Sequence, residues 1–486
     1  MSSLKSDEPP ISFTEQDLAV FAAASGDRNP LHMSQEYARQ TPYGQPVVFG
    51  CLGAMACLGQ IHLPAGLSAT SLEAEFLRPT FLGVKYRVET SEREGKWEAW
   101  LFDGSTPTVS ISVTAELSHR SDTPEEIIAP SVFERRDSAV RLLEDIVLGL
   151  KISGAYACNP SALATVAARW GVVDRFLATV LSWGSYLVGM ELPGESAIFS
   201  KLALHFQRTA RRSASMTYHA SVASVDSRFG LIETDVSLLN GSSTVASGQC
   251  WSYIRPPVPE VEEIDFLEVR PDSLAGRAVV LLGSSRGLGA AMKRALELRG
   301  AAVHGMARSG NPGDLSRTEV GDAADPEVLR RLRERVLQEN GRLDFLICNA
   351  CPPILPLRLE PNAAGRIGAF INMAVALVLA PLSEFLDLLN DSKGCVVLIS
   401  SAAVEHPVSE WPHYVAAKRA VEALGCVASL QYPRVRTLIV RPQKLHTTLT
   451  NTPLGRLDAA SPGWLANRIA ARLEDPLEPG TTEILV

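Results

Sequence analysis

The chain lacks most of what would tie it to a membrane, a nucleic acid or a metal. No run approaches the 18 uninterrupted apolar residues of a bilayer span, and residues 1–10 hold no apolar core of signal-peptide length. The expectation is therefore a cytoplasmic protein with no membrane partner. Positive charge is not in excess: a net charge of −8 gives no support to nucleic-acid or membrane-surface binding. The eight cysteines (51, 57, 158, 250, 348, 351, 395, 426) are scattered without metal-ligand spacing and mostly sit in apolar runs. They read as reduced, buried thiols, with no metal implied. What is left is an ordinary globular composition, 46% apolar and 21% charged over 486 residues, enough for two to four domains.

Against that background one stretch carries chemistry. Tyr414 and Lys418 are four apart and share a helix face. An ammonium beside a phenol favours the phenolate and is expected to pull the Tyr414 pKa down from about 10, making it a general acid/base. Ser401, thirteen residues upstream, ends the apolar run Cys395-Val-Val-Leu-Ile399, which reads as a buried strand. Further upstream, Ala278-Val-Val-Leu-Leu282 reads as another strand, followed by Gly283-Ser-Ser-Arg-Gly287-Leu-Gly289 and an alanine-rich helix. Glycines there permit a tight turn and let the backbone reach a pyrophosphate at the helix N-terminus. Together these residues resemble the short-chain dehydrogenase/reductase family, whose catalytic Ser, Tyr and Lys fall on Ser401, Tyr414 and Lys418. The resemblance implies a doubly wound parallel sheet over residues 273–486. It places Gly283, Ser285, Arg286, Gly287, Leu288, Gly289, Asp322, Asn349, Ala350 and Thr447 at the cofactor, together with Tyr414 and Lys418. It also makes Asn372 the fourth catalytic residue, holding a water against Lys418. The second strand ends at Ala307-Arg308 with no acidic residue for a ribose; Arg286 and Arg308 are placed for a 2′-phosphate, so NADPH is implied. Leu282, Cys351 and Gln443 depart from the family's usual Thr, Gly and Gly.

The N-terminal part reads differently. Residues 12–24 form a helix capped by Thr14 with Asp17, and then comes Ser25-Gly26-Asp27-Arg28-Asn29-Pro30-Leu31-His32. Pro46-Val-Val-Phe-Gly50 leads into a small-residue helix over 51–62, and residues 72–89 and 96–117 alternate with period two; Val109, Ile111, Val113, Ala115 and Leu117 share one face. Residues 12–118 resemble the MaoC-like (R)-specific enoyl-thioester hydratases/dehydratases of hot-dog fold, whose acid and histidine match Asp27 and His32. Dehydrating a 3-hydroxyacyl thioester requires removing an α-proton and protonating the leaving hydroxyl, which a carboxylate and an imidazole can share. Backbone N–H groups at Gly50 and Cys51 would receive the thioester oxyanion. Phe49 stands where a histidine commonly opens the central helix of this family.

Residues 150–256 repeat the pattern. Ser153-Gly154-Ala155 and Asn159-Pro160 echo Ser25-Gly26-Asp27 and Asn29-Pro30, and Gly171-Val-Val173 echoes Pro46-Val-Val48. The acid's place falls on Ala155 and the histidine's near Ala162, so this half should be catalytically silent. Arg208, Arg211 and Arg212 read either as a solvated inter-strand loop or as contacts for the phosphates of coenzyme A. The expected architecture is an α+β double hot dog followed by an α/β doubly wound sheet. Its parts are residues 1–120, a linker with a helix at 121–149, a degenerate unit at 150–256, a linker at 257–272 and residues 273–486. The resemblances imply a homo-oligomeric, bifunctional NADPH-dependent 3-oxoacyl-thioester reductase and (R)-3-hydroxyacyl-thioester dehydratase, acting on acyl-CoA or acyl-carrier-protein thioesters. The alternative is that one site works and the other domain binds the acyl chain.

Overall fold

The computed structural model describes residues 9–117, 137–207, 215–257, 263–266, 268–308, 317–361, 363–452, 455–475 and 478–485. Arg208, Arg211, Arg212 and residues 121–136 of the expected linker lie outside these residues. The chain folds as two compact units that part after Pro257.

The first unit begins with α1 (Glu15–Ser25), whose N-terminus is closed by the Thr14–Asp17 capping box and whose C-terminus is closed by Gly26 at φ 76°. Short helices α2 (Pro30–Met33) and α3 (Gln35–Arg39) lead to α4 (Gly50–Leu58). Every residue of α4 from Cys51 to Leu58 is buried, so this helix has no solvent face. Four strands follow: β1 (Leu67–Phe76), β2 (Arg87–Arg93), β3 (Lys96–Asp103) and β4 (Thr106–Leu117). Val109, Ile111, Val113 and Ala115 are buried as the alternation predicts, but Leu117 is 72% exposed, beyond the end of the core. The second series is β5 (Lys151–Ala157), α5 (Pro160–Trp170), α6 (Arg175–Tyr186) with a π-helical extension Leu187–Glu191, β6 (Ala197–Phe206), β7 (Ser215–Asp226), β8 (Leu231–Asn240) and β9 (Ser243–Ile254). Among the described residues of the linker there is a 3-10 turn, Leu143–Asp145.

All nine strands form one antiparallel sheet, in the order β2-β3-β4-β1-β6-β9-β8-β7-β5. β1 and β6 meet at its middle, with Leu72 opposite Leu204 and Ala74 opposite Leu202. Each half runs outward from that seam with the same topology: β4 pairs β1 as β9 pairs β6, and β3 and β8 then β2 and β7 follow. One apolar core includes both α4 and α6. The structure corrects the register of the repeat. Ser153-Gly154-Ala155 lies in β5, paired with β7, and corresponds to the lone bridge of Ile11 with Tyr86 ahead of β2. α5 is the counterpart of α1, and it too ends on a left-handed glycine, Gly171 at φ 75°. Asp27 thus corresponds to buried Val172, and the segment carrying α2 and α3 is missing from the second half, where Asp174 caps α6 at once. Matching short strings misled because Ser-Gly and Asn-Pro pairs recur by turn chemistry, whereas the helix-ending glycines mark the true repeat.

The second unit is built on β10 (Ala278–Leu282), α7 (Gly287–Glu297), β11 (Ala302–Ala307), β12 (Thr318–Val320), α8 (Pro326–Asn340), β13 (Phe345–Cys348), α9 (Ala364–Ser392), β14 (Cys395–Ile399), α10 (Pro412–Gln431), β15 (Arg436–Val440), α11 (Pro462–Glu474) and β16 (Thr482–Leu485). Its seven strands are all parallel, in the order β12-β11-β10-β13-β14-β15-β16, and the chain reverses direction between β10 and β13. That crevice, at the carboxyl ends of the strands, is where such sheets bind ligands. α9 is apolar and long enough to cross a bilayer, with Asn372 interrupting its apolar run, yet it packs against α8, α10 and β13 with Val378, Leu382, Phe385 and Leu389 in the core. Its C-terminal half packs into the core of the α/β layer.

One glycine tests the sheet. A side chain on Gly248 in β9 would run into the Ala203 carbonyl of β6. Gly248→Ala is expected to destabilise the first unit by about 1–3 kcal/mol in urea unfolding, with little effect on the second; a wild-type midpoint would count against this packing.

Candidate active sites

In the first unit Asp27 lies just past α1, where Gly26 turns the chain inward. Its side chain is buried at 1% exposure. Ser185 Oγ of α6 donates to one carboxylate oxygen at 2.6 Å and the Asn29 backbone N–H to the other at 3.0 Å. Burial pushes the Asp27 carboxyl up to about 6, against the pull of those two bonds. Gly189, in the π-helical turn, is a glycine because a Cβ there would lie 2.6 Å from both carboxylate oxygens. Asn29 locks the loop: its Oδ1 caps α2, and its amide nitrogen faces the carbonyls of Gly189, Gly194 and Glu195 at 3.0–3.2 Å. Tyr156 of β5 donates to the Ser25 carbonyl at 3.2 Å, and Met190 sulfur accepts from the Arg28 N–H at 3.1 Å. The second half therefore makes the wall on which the acid's loop is held.

His32 sits on α2, five residues beyond Asp27. Its Nδ1–H donates to the Val47 carbonyl at 2.8 Å, which leaves Nε2 as the lone-pair nitrogen of the neutral ring. The ring stacks on Phe49 at 4.0 Å between centroids, so Phe49, the departure noted in the sequence, carries the imidazole. Burial lowers the His32 pKa to about 4, partly offset by the Val47 bond, with Arg255 lowering it further. At neutral pH the pair is a carboxylate and a neutral imidazole. α4 starts beside them: Phe49 is its N-cap without a side-chain cap, and Gly50 admits the Phe76 ring, which a Cβ would meet at 2.6 Å. The Cys51 thiol is raised well above its ordinary value by burial, then by the Asp27 charge, and lies against Ser185. The N-terminus of α4 thus faces the same cluster. Ser185, Gly189 and Arg255 escaped the sequence reading; the serines at 182 and 185 in an otherwise apolar helix were the one available signal.

In the second unit Gly283 (φ 81°) and Gly287 (φ 52°) make the turn after β10. A Cβ on Gly283 would press on Ala350 at 3.0 Å, and one on Gly289 would strike the Gly283 carbonyl. Asn349 donates to that carbonyl at 2.8 Å, and Thr447 borders Gly287. Ser285, Arg286 and Arg308 are exposed near the turn and the end of β11, Asp322 is exposed after β12, and Leu288 is buried in the core, offering its backbone alone. This cradle, which side chains would fill, fits a dinucleotide pyrophosphate on the α7 N-terminus.

Ser401 Oγ caps a 3-10 turn by accepting from the Ala403 N–H and also hydrogen-bonds Tyr414. It is set by its neighbour: Ser400 Oγ donates at 2.6 Å to Glu422, which Arg441 grips through two nitrogens at 2.8 and 2.9 Å. Lys418 Nζ lies 5.6 Å from the Tyr414 ring centroid and donates to the Ile399 carbonyl at 2.6 Å. One expectation fails. The Tyr414 pKa is raised: burial outweighs Lys418, and Cys351 adds to the rise. Asn372 is exposed on α9, and Lys418 uses one N–H on the Ile399 carbonyl.

Residues 277–455 match the family model described as short chain dehydrogenase, and residues 5–103 the one described as MaoC like domain. The chain thus joins a MaoC-like domain to a short-chain dehydrogenase domain. L-fucose dehydrogenase of Mus musculus is 31% identical over 186 residues, 36% of this chain and 67% of that protein. L-xylulose reductase of Mus musculus is 25% identical over 197 residues, 39% of this chain and 78% of that protein. 3-Hydroxybutyryl-CoA dehydratase of Methylorubrum extorquens is 32% identical over 84 residues, 16% of this chain; the match spans 54% of that dehydratase, about half its length. The protein pairs the dehydratase and oxidoreductase families on one polypeptide, with a nicotinamide cofactor for the second.

The two shifted groups of the first site make stability pH-dependent with opposite signs. Asp27 titrates higher folded than unfolded, so its contribution is full below about pH 4 and lost as pH rises through about 6. His32 titrates lower folded than unfolded, so its contribution is full above about pH 6.5 and lost as pH falls through about 4. Asp27→Asn should therefore lose roughly 3 kcal/mol of stability on acidification across this window, and His32→Gln should gain a similar amount. Thermal melts of both variants between about pH 4 and 7.5 check this; parallel profiles would contradict it.

Proposed function

We propose that the protein is bifunctional, an NADPH-dependent 3-oxoacyl-thioester reductase and an (R)-3-hydroxyacyl-thioester dehydratase, whose first unit is a double hot dog. The carrying observation is that one chain holds both a buried carboxylate five residues from a buried neutral imidazole and a Ser–Tyr–Lys cluster in the unit that carries the glycine turn. In reduction, Ser401 orients the C3 oxygen and Tyr414, protonated at neutral pH, hands it a proton. The Lys418 charge eases that transfer. Bound nicotinamide dinucleotide supplies the hydride. In dehydration, Nε2 of His32 takes the α-proton, the N–H groups of Gly50 and Cys51 steady the thioester oxyanion, and Asp27 in its protonated form, the minor one at neutral pH with a carboxyl at about 6, gives its proton to the departing hydroxyl, which leaves as water; the proton left on His32 then restores the acid. The 3-hydroxybutyryl-CoA dehydratase relative supports a coenzyme A or carrier-protein thioester as substrate. A protein with one working site, the other domain holding the acyl chain, is the second reading.

Variants separate the two halves. Tyr414→Phe should stop NADPH oxidation by a 3-oxoacyl thioester yet still convert supplied (R)-3-hydroxyacyl thioester to the trans-2-enoyl form. Asp27→Asn should oxidise NADPH and accumulate the hydroxyacyl product, each loss being roughly 10²–10⁴-fold. Mass spectrometry of the products decides; loss of both activities in Asp27→Asn without unfolding would defeat the reading. Arg286 and Arg308, both exposed, support the NADPH reading as partners for a 2′-phosphate. Arg308→Asp should weaken NADPH by about tenfold or more and NADH little, since one charge-assisted contact is worth roughly 1.5–3 kcal/mol. Equal affinity of the unmodified chain for both nucleotides would exclude NADPH selectivity.

A further inference from the structure

Arg255 follows β9, in the second half of the first unit, and its side chain is 9% exposed. Its Nη2 donates to the Tyr37 hydroxyl and to the Glu195 carbonyl, both at 2.9 Å, and the guanidinium carbon lies 5.4 Å from the Tyr37 ring centroid. Nε is buried without a partner, and among the described residues no carboxylate pairs with the guanidinium. Tyr37 hydrogen-bonds the Glu195 side chain as well as its carbonyl, the latter at 3.3 Å, so the Glu195 carboxylate reaches Arg255 only through the Tyr37 hydroxyl. The Arg255 charge reaches His32 and Tyr43 as well as Tyr37. A buried guanidinium with a free N–H and no carboxylate paired to it directly is costly unless something anionic meets it. Its planar fork suits carboxylate or phosphate. The loop that positions it, residues 194–196, is also the one that holds Asn29 and, through Asn29, the Asp27 turn.

We propose that Arg255, with Tyr37 and Tyr43, forms an oxyanion-binding subsite beside His32 that holds a phosphate or carboxylate carried by the substrate. The assignment rests on the dehydratase reading given above. Arg255 would be a specificity-determining residue: the anion it takes fixes which thioesters present their α-carbon to the imidazole. Two sources share this chemistry, the phosphate of a phosphorylated pantetheine arm and a carboxylate at the far end of the acyl chain.

The test uses the full chain, Arg255→Lys and Arg255→Gln. Hydration is followed on three trans-2-enoyl thioesters: a coenzyme A thioester, the same acyl group on unphosphorylated pantetheine, and a pantetheine thioester whose acyl chain ends in a carboxylate. If the phosphate is held, Arg255→Gln lowers kcat/KM about ten- to a hundredfold on the coenzyme A thioester and leaves plain pantetheine unchanged. If the carboxylate is held, the loss falls on the third substrate alone. In either case Arg255→Lys recovers part of it. An equal loss on all three would make Arg255 a mere staple for Tyr37 and Glu195 and overturn the proposal. Calorimetric titration with inorganic phosphate and with glutarate gives a readout that needs no turnover. Binding of one of them by the unmodified chain, abolished in Arg255→Gln, supports the subsite even if the chain hydrates nothing, in which case only the dehydratase reading fails. Binding of neither overturns it.

Discussion

The first unit depends on keeping one carboxylate out of water. Asp27 loses hydration on burial and recovers only part of it from Ser185 and the Asn29 N–H, so its acidity is weakened to about 6. Everything around it serves that compromise. Gly26 turns the loop, Asn29 ties it to three carbonyls, and Gly189 leaves room for the oxygens. A carboxylate hydrogen-bonded by more donors would be a poorer proton carrier near neutral pH; one held by none would be too costly to bury.

The second half carries no counterpart of the α2–α3 segment and so no acid or imidazole in those places; its α6 and π-helical turn face the loop of the first half. A single extra residue in a helix is a common device where a side chain must be re-aimed. Here it brings Gly189 and Met190 against the loop of Asp27 and Arg28. In the second unit the Ser400–Glu422–Arg441 network does comparable work, fixing the strand end that presents Ser401.

The layout of the second unit was largely legible in the sequence, because buried parallel strands write themselves as unbroken apolar runs and the glycine turn is local. The Asp27–His32 pair was legible for the same reason: both lie within one short stretch. Ser185 was not, since it is 158 residues from the group it serves, and two serines in an apolar helix do not name their partner. The Tyr414 expectation went astray through magnitude. Spacing shows that Lys418 is near but is silent on how deeply the phenol is buried, and burial won.

The seam between β1 and β6 has a consequence for dilution. A half-sheet with an open central edge would need a second copy to cover it, and its active site would then weaken as subunits separate. In this chain the covering edge arrives on the same polypeptide, at an effective concentration set by the tether and not by how much protein is present. Ser185 and the Gly194–Glu195 carbonyls are therefore delivered to Asp27 and Asn29 intramolecularly. The pairing of these two halves has no dissociation constant to fall below.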